Sequence, residues 1–183
     1  MKLEKQLEDQ IKEIALEELE KGKPDFNIPH TILAVEYMRK LISNEGGDER
    51  ILITAIYLHD IGYAGLIKNG TGLADRIDAK KLHMIKGSKK SKELLKPLGF
   101  TKKEIQEISN LILTHDTFEN NKTHNEQLMF EADSLAMINR DRAPGTFSEE
   151  DMKAFLKFFK RLRIPLIKTK TGKQIFEELW TKL

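Results

Sequence analysis

The sequence predicts an all-α fold of seven or eight helices in one domain. Three features carry that prediction. Apolar residues recur at helical period along nearly the whole chain, and no segment alternates as a half-buried strand would. Polar helix starts and Gly or Pro stops also punctuate the pattern at regular intervals. At 183 residues the chain suits a single domain with a real core.

Leu3 to Glu20 reads as a first helix, with Leu7, Ile11, Ile14, Ala15 and Leu19 on one face and Gly22 and Pro24 beyond its end. A second helix follows Pro29, runs to about Asn44 and closes at Gly46-Gly47. Asp48 caps a third, from Glu49 to about His59. Ile61 to Ile77 holds four glycines and is expected to be a long loop, a length usually functional or mobile. Asp78 caps a fourth helix, which ends before Pro97 and Gly99. Thr101 to Glu104 has the capping-box pattern and starts a fifth, ending near His115. Thr123 to Glu126 repeats the pattern and starts a sixth, to about Asn139. Ser148 caps a seventh, and Thr171-Gly172 precede a final one.

Composition narrows the chemistry. Without cysteine there are no disulfides, thiolate zinc sites, iron–sulfur clusters or thiol nucleophiles. A metal would have to be held by His, Asp or Glu, which points to iron, manganese, magnesium or an all-His/carboxylate zinc site. A net charge of +2 makes no electrostatic case for nucleic acid or a membrane surface. The basic stretch from Lys157 to Lys173 interleaves Phe158, Phe159 and Leu162 at helical spacing, so it reads as a solvated face beside a core face. No signal-peptide core and no apolar stretch of spanning length is present, and the expected location is the cytoplasm. The oligomeric state is open, a homodimer included.

The informative polar residues sit on apolar faces. His30 shares one with Ala34, Tyr37, Met38 and Leu41; His59 follows Leu52, Ala55 and Ile56; His115 follows Ile108, Leu111 and Ile112. Asp133 is flanked by Met129, Phe130, Ala136 and Met137. Taken singly, each histidine could be a core residue bonded to a carbonyl, and Asp133 a buried partner of Arg140. Four such groups pointing inward from four helices need a common partner, because burying an unpaired carboxylate costs several kcal/mol. A shared cation is the simplest one. His124, in the first turn of its helix, reads as a surface residue.

His30, the pair His59-Asp60 after the apolar run Ala55 to Leu58, and the later Asp133 together resemble the HD superfamily, over roughly residues 25 to 142. Members are all-helical metal-dependent enzymes, mostly phosphohydrolases. The resemblance implies one HD domain over residues 1–183, with His30, His59, Asp60 and Asp133 as metal ligands. His83 and His115 fall between the pair and the last Asp. That order is similar to HD enzymes with two metals, in which the Asp of the pair bridges both ions and the extra histidines bind the second. Two divalent ions per chain (Fe, Mn or Mg) follow from it. His59 and Asp60 lie about 100° apart on a helix, so both reach one ion only if the helix ends there, as Gly62 suggests.

The implied reaction is hydrolysis of a nucleotide or related small phosphoester by metal-activated hydroxide. Asp60, Lys86 and Arg140 are the candidate catalytic residues, the two cations for phosphate; Arg142, Lys68 and Arg76 border loops, and Asp116 follows His115. Gly87, on the face of His83 and Lys86, would permit close approach of another helix or a ligand. The run from His83 to Glu131-Ala132-Asp133 is similar to diadenosine tetraphosphate hydrolases, and Lys168 to Lys173 to HD nucleoside triphosphate hydrolases. No Glu-Asp follows the His-Asp pair, and Ile61-Gly62-Tyr63 is not the Gly-Tyr-Pro signature of cyclic-dinucleotide phosphodiesterases. The substrate is therefore left open. Two other outcomes share these ligands: a mixed-valence di-iron oxygenase of the same fold, and a non-catalytic metal- or nucleotide-binding module.

Overall fold

The chain forms eight α-helices among its described residues: α1 Lys5–Leu19, α2 Pro24–Glu45, α3 Glu49–Leu58, α4 Leu73–Leu95, α5 Lys102–Thr114, α6 His124–Ile138, α7 Glu149–Leu162 and α8 Lys170–Trp180. Short 3-10 turns lie at Ile61–Tyr63, Lys96–Leu98 and Ile164–Leu166, and no strand occurs among the described residues. This computed structural model describes residues 2–67, 73–119, 121–143 and 148–183, without the side chains of 73–76 and 78. Lys68, most of the glycine-containing stretch before α4, and the side chains of Arg76 and Asp78 lie outside that description.

Most helix starts are those the sequence predicts. Asp48 accepts the amide of Ile51, Thr101 and Thr123 close full capping boxes with Glu104 and Glu126, and Ser148 accepts the amide of Asp151. Gly46 ends α2 at φ +80°, a conformation costly for other residues. Three boundaries differ. α2 begins at Pro24 rather than after Pro29, because proline at the first helical position gives up an amide that would have no partner anyway. Pro29, in the second turn, removes only one further donor and does not stop the helix. α4 begins at Leu73, so Asp78 is inside it rather than its cap, and the expected loop from Ile61 to Ile77 is shortened from both ends. α8 begins one residue before Thr171, with Thr169 as the cap.

One core joins the helices. α2 packs on α6 and α3, α4 on α5 and on the 3-10 turn Ile61–Tyr63, and α8 against α6 and α2. Ile11, Ala15 and Leu19 of α1 are buried in that core, so the first helix packs on its own chain. Buried Glu131 ties the C-terminal region down: its carboxylate accepts the amides of Lys168 (2.6 Å) and Thr169 (2.9 Å) and the Thr169 hydroxyl. No helix among the described residues is long and apolar enough to cross a membrane.

Candidate metal centre

Five helix ends and faces converge on one buried point. α2 supplies His30, the end of α3 supplies His59 and then Asp60, α4 supplies His83, the end of α5 supplies His115, and α6 supplies Asp133; each is at most 5% exposed. α3 stops at Leu58, and Asp60 has left the helix at φ −101°, ψ 1°. That break turns two sequence neighbours toward one place.

Asp60 stands between two sets of ligand atoms. Its Oδ2 faces His59 Nε2 at 3.5 Å and His30 Nε2 at 3.8 Å; its Oδ1 faces His83 Nε2 at 3.5 Å and His115 Nε2 at 3.8 Å. On the first side His30 Nε2 lies 3.2 Å from His59 Nε2 and 3.1 Å from Asp133 Oδ1. On the second side His83 Nε2 lies 3.4 Å from His115 Nε2. Ligands about 2.1 Å from one ion stand roughly 3.0–3.4 Å apart in octahedral or tetrahedral geometry. The His30–His59, His30–Asp133 and His83–His115 separations therefore suit a cation on either side of Asp60, whose own oxygens stand slightly farther off at 3.5–3.8 Å.

The donor chemistry fits as well. His59 Nδ1 donates to the Ile56 carbonyl at 2.7 Å and His115 Nδ1 to that of Ile112 at 2.8 Å, which leaves both Nε2 lone pairs facing the centre. Neutral imidazole acceptors facing each other repel unless something positive lies between them. In the metal-free chain a proton takes that part: burial pushes His59 down, but Asp60 and Asp133 outweigh it and hold its pKa up at about 9. Burial pushes Asp60 up and the four histidines outweigh it, leaving it at about 2. Burial depresses His83 to about 4 and lowers His115 also.

Metal uptake near neutral pH is therefore expected to release a proton from His59, whose pKa stands above neutrality, whereas burial holds that of His83 below it. Below about pH 9 this proton alone should make apparent affinity rise about tenfold per pH unit, at least about a hundredfold between pH 6 and 8. Calorimetry in buffers of different ionisation enthalpy counts the protons. Affinity flat over that interval would contradict the assignment.

Around the ligands the structure places one arginine that sequence reasoning took for part of a solvated run. Arg163, at the end of α7, is 2% exposed. It donates to Asp133 Oδ2 at 2.9 Å, to Ser134 Oγ at 2.7 Å and to Asp116. Burial opposes its charge, but Asp116 and Asp133 prevail and raise its pKa. The signal was present: Arg163 lies four residues after Phe159 and eight after Phe155, on their buried face. Asp116 also pairs with Lys80 at 3.2 Å, one turn before His83.

The predicted cations fare differently. Arg140 lies just past α6 and lines the cavity beside the centre. Lys86 does not reach it. It is exposed, reaches the Ala64 carbonyl at 3.4 Å, and borders a separate groove with Lys89 and Lys90. α4 presents Lys80 to the cavity instead, because His83 and Gly87 turn inward and carry Lys86 to the solvent flank. Arg142 pairs with Glu36 on the surface, and His124 is exposed as expected. Rings brace two of these histidines: Tyr63 stacks on His83 at 3.9 Å and Phe26 on His30 at 5.3 Å.

A helical fold with a buried His/Asp cluster at the meeting point of its helices defines the class of protein. The family model for the HD domain matches residues 27–138, and the chain belongs to the HD-domain family. Its fold is similar to a solved structure from an uncultured Thermotogales bacterium, named a predicted HD superfamily hydrolase. The two share 20% identity at a TM-score of 0.65, over 95% of this chain and 85% of the other. No curated protein matches the sequence. Arg163 lies beyond the residues that the family model covers.

Proposed function

We propose that this chain is a metal-dependent phosphohydrolase acting on a nucleotide or a related small phosphoester, with His30, His59, Asp60, His83, His115 and Asp133 as ligands of two divalent ions. The observation that carries the reading is Asp60, whose two oxygens are divided between two histidine sets. A four-imidazole set favours iron or manganese over magnesium. Bound there, such ions bring the pKa of water toward neutrality and neutralise phosphoryl charge.

The chain's own residues do the rest. Asp60 holds both sides in register. Arg163 takes up the outer oxygen of Asp133, so that the inner oxygen stays turned toward His30. Lys80 and Arg140 offer positive charge in the adjoining cavity for phosphoryl oxygens. Burial lowers the pKa of Lys80 against the pull of Asp116. Asp116 is engaged by Arg163 and Lys80 and so orders these cations.

Elemental analysis of anaerobically purified protein, beside phosphate release from a nucleotide panel, tests the proposal. Two metals per chain should fall to one in a His83→Ala/His115→Ala double variant, with turnover reduced at least about a hundredfold. One metal in both proteins would return His83 and His115 to structural roles. Iron with oxygen consumption and no phosphate release would put an oxygenase in place of the hydrolase, and tight ligand binding without turnover a sensing module.

A further inference from the structure

A cavity of about 470 Å³ lies beside the candidate metal centre, lined by residues that touch the ligand candidates rather than by the candidates themselves. Phe26 and Tyr63, which stack on His30 and His83, form its inner end together with Arg163 and Asp116. Its outer wall is Phe118, Phe155, Phe158, Met137 and Ile77, with Lys80 and Arg140 among them. No amide and no Ser or Thr hydroxyl occurs among the described lining residues.

Two of these rings have no duty in the core. Phe118 and Phe158 meet edge to face at 5.3 Å and 71°, are only partly buried, and stand outside the main hydrophobic cluster. Lys80 Nζ sits 3.5 Å from the Phe118 ring centroid and 5.9 Å from that of Phe158. Its charge thus lies against the aromatic wall, one turn before His83. A ligand with phosphate toward the centre would lay its organic part against this aromatic wall.

The lining decides what that part is. A polyol brought here would leave several hydroxyls desolvated with few neutral partners, at a cost for each. A flat or apolar group would instead cover rings that otherwise face water. We infer that this cavity selects phosphoesters whose organic group is aromatic or otherwise apolar rather than a polyol, with Phe118 and Phe158 as specificity-determining residues. The inference rests on the phosphohydrolase reading only for the position of the phosphate.

Non-hydrolysable phosphonates separate the two. The full chain loaded with Mn²⁺ is titrated calorimetrically under argon with methylphosphonate, phenylphosphonate and 1-naphthylphosphonate. The aryl compounds should bind at least about tenfold more tightly than the methyl compound. Phe158→Leu and Phe118→Leu, which keep apolar bulk and remove a ring, should narrow that ratio. Equal affinities, or no binding of any of the three, would overturn the inference, whatever phosphoester the protein hydrolyses. Aryl preference with no phosphate released from phenyl phosphate or any nucleotide would support this subsite and remove the hydrolase reading.

Discussion

Gly62→Ala is expected to destabilise the chain by about 3 kcal/mol or more and, on the two-ion reading proposed above, to reduce its metal content to one ion. A Cβ at Gly62 would run into the backbone carbonyl of His83 and come within 2.6 Å of the Gly87 amide nitrogen. Both obstacles are helix backbone, which cannot rotate away as a side-chain tip can. Gly87 in turn has room for only a tight Cβ, 3.3 Å from Ile112 and 3.4 Å from the Gly62 nitrogen. The turn after Asp60 would have to move off α4, and Asp60 would part from His83, which it now approaches to 3.5 Å. His30, His59 and Asp133 do not depend on that contact, so the first ion should be retained. Denaturant unfolding and elemental analysis read the two effects separately. An unchanged unfolding midpoint together with two ions per chain would refute the packing argument.

Arg163→Met should cost about 3–5 kcal/mol, an unfolding temperature lower by on the order of 10 °C. Methionine fills much of the volume but leaves Asp133 Oδ2 and Asp116 buried without their guanidinium. The ion pair need not be better than an apolar cluster of the same shape; the cost comes from stranding its partners. Asp116 retains Lys80, so the larger part of the loss should fall at Asp133. A double-mutant cycle with Asp116→Asn apportions it: the double variant should be more stable than the two single costs summed. Strict additivity would mean that Asp116 takes no part in the loss, which would then fall wholly on Asp133 and on the packing of Arg163 against Phe130 and Phe159. Metal affinity offers a second readout. A freed Asp133 should weaken it about 10- to 100-fold, as is usual when a ligand loses its supporting hydrogen bond.

Local rules were enough for much of the molecule. Asp48, Thr101, Thr123 and Ser148 start helices through bonds that span three residues, and such bonds are written in adjacent sequence. The inward polar residues were legible for a related reason: helical period assigns His30, His59, His115 and Asp133 to apolar faces before any packing is known. Pro24 outweighed Pro29 as the start of α2 because burial of Phe26 and Asn27 extends the helix past a weak local stop, and α4 begins at Leu73, before Asp78.

The sequence by itself determined the all-helical class, the inward faces that carry His30, His59, His115 and Asp133, and the residue types available to hold a cation. Only the tertiary structure decided which oxygen of Asp60 meets which histidines, that Lys80 and not Lys86 enters the cavity, and that Arg163 reaches Asp133 from thirty residues away. The physical reason is range. Periodicity and capping act within one or two turns, whereas a buried charge is matched by whatever the fold brings within hydrogen-bond distance, and sequence separation places no limit on that choice.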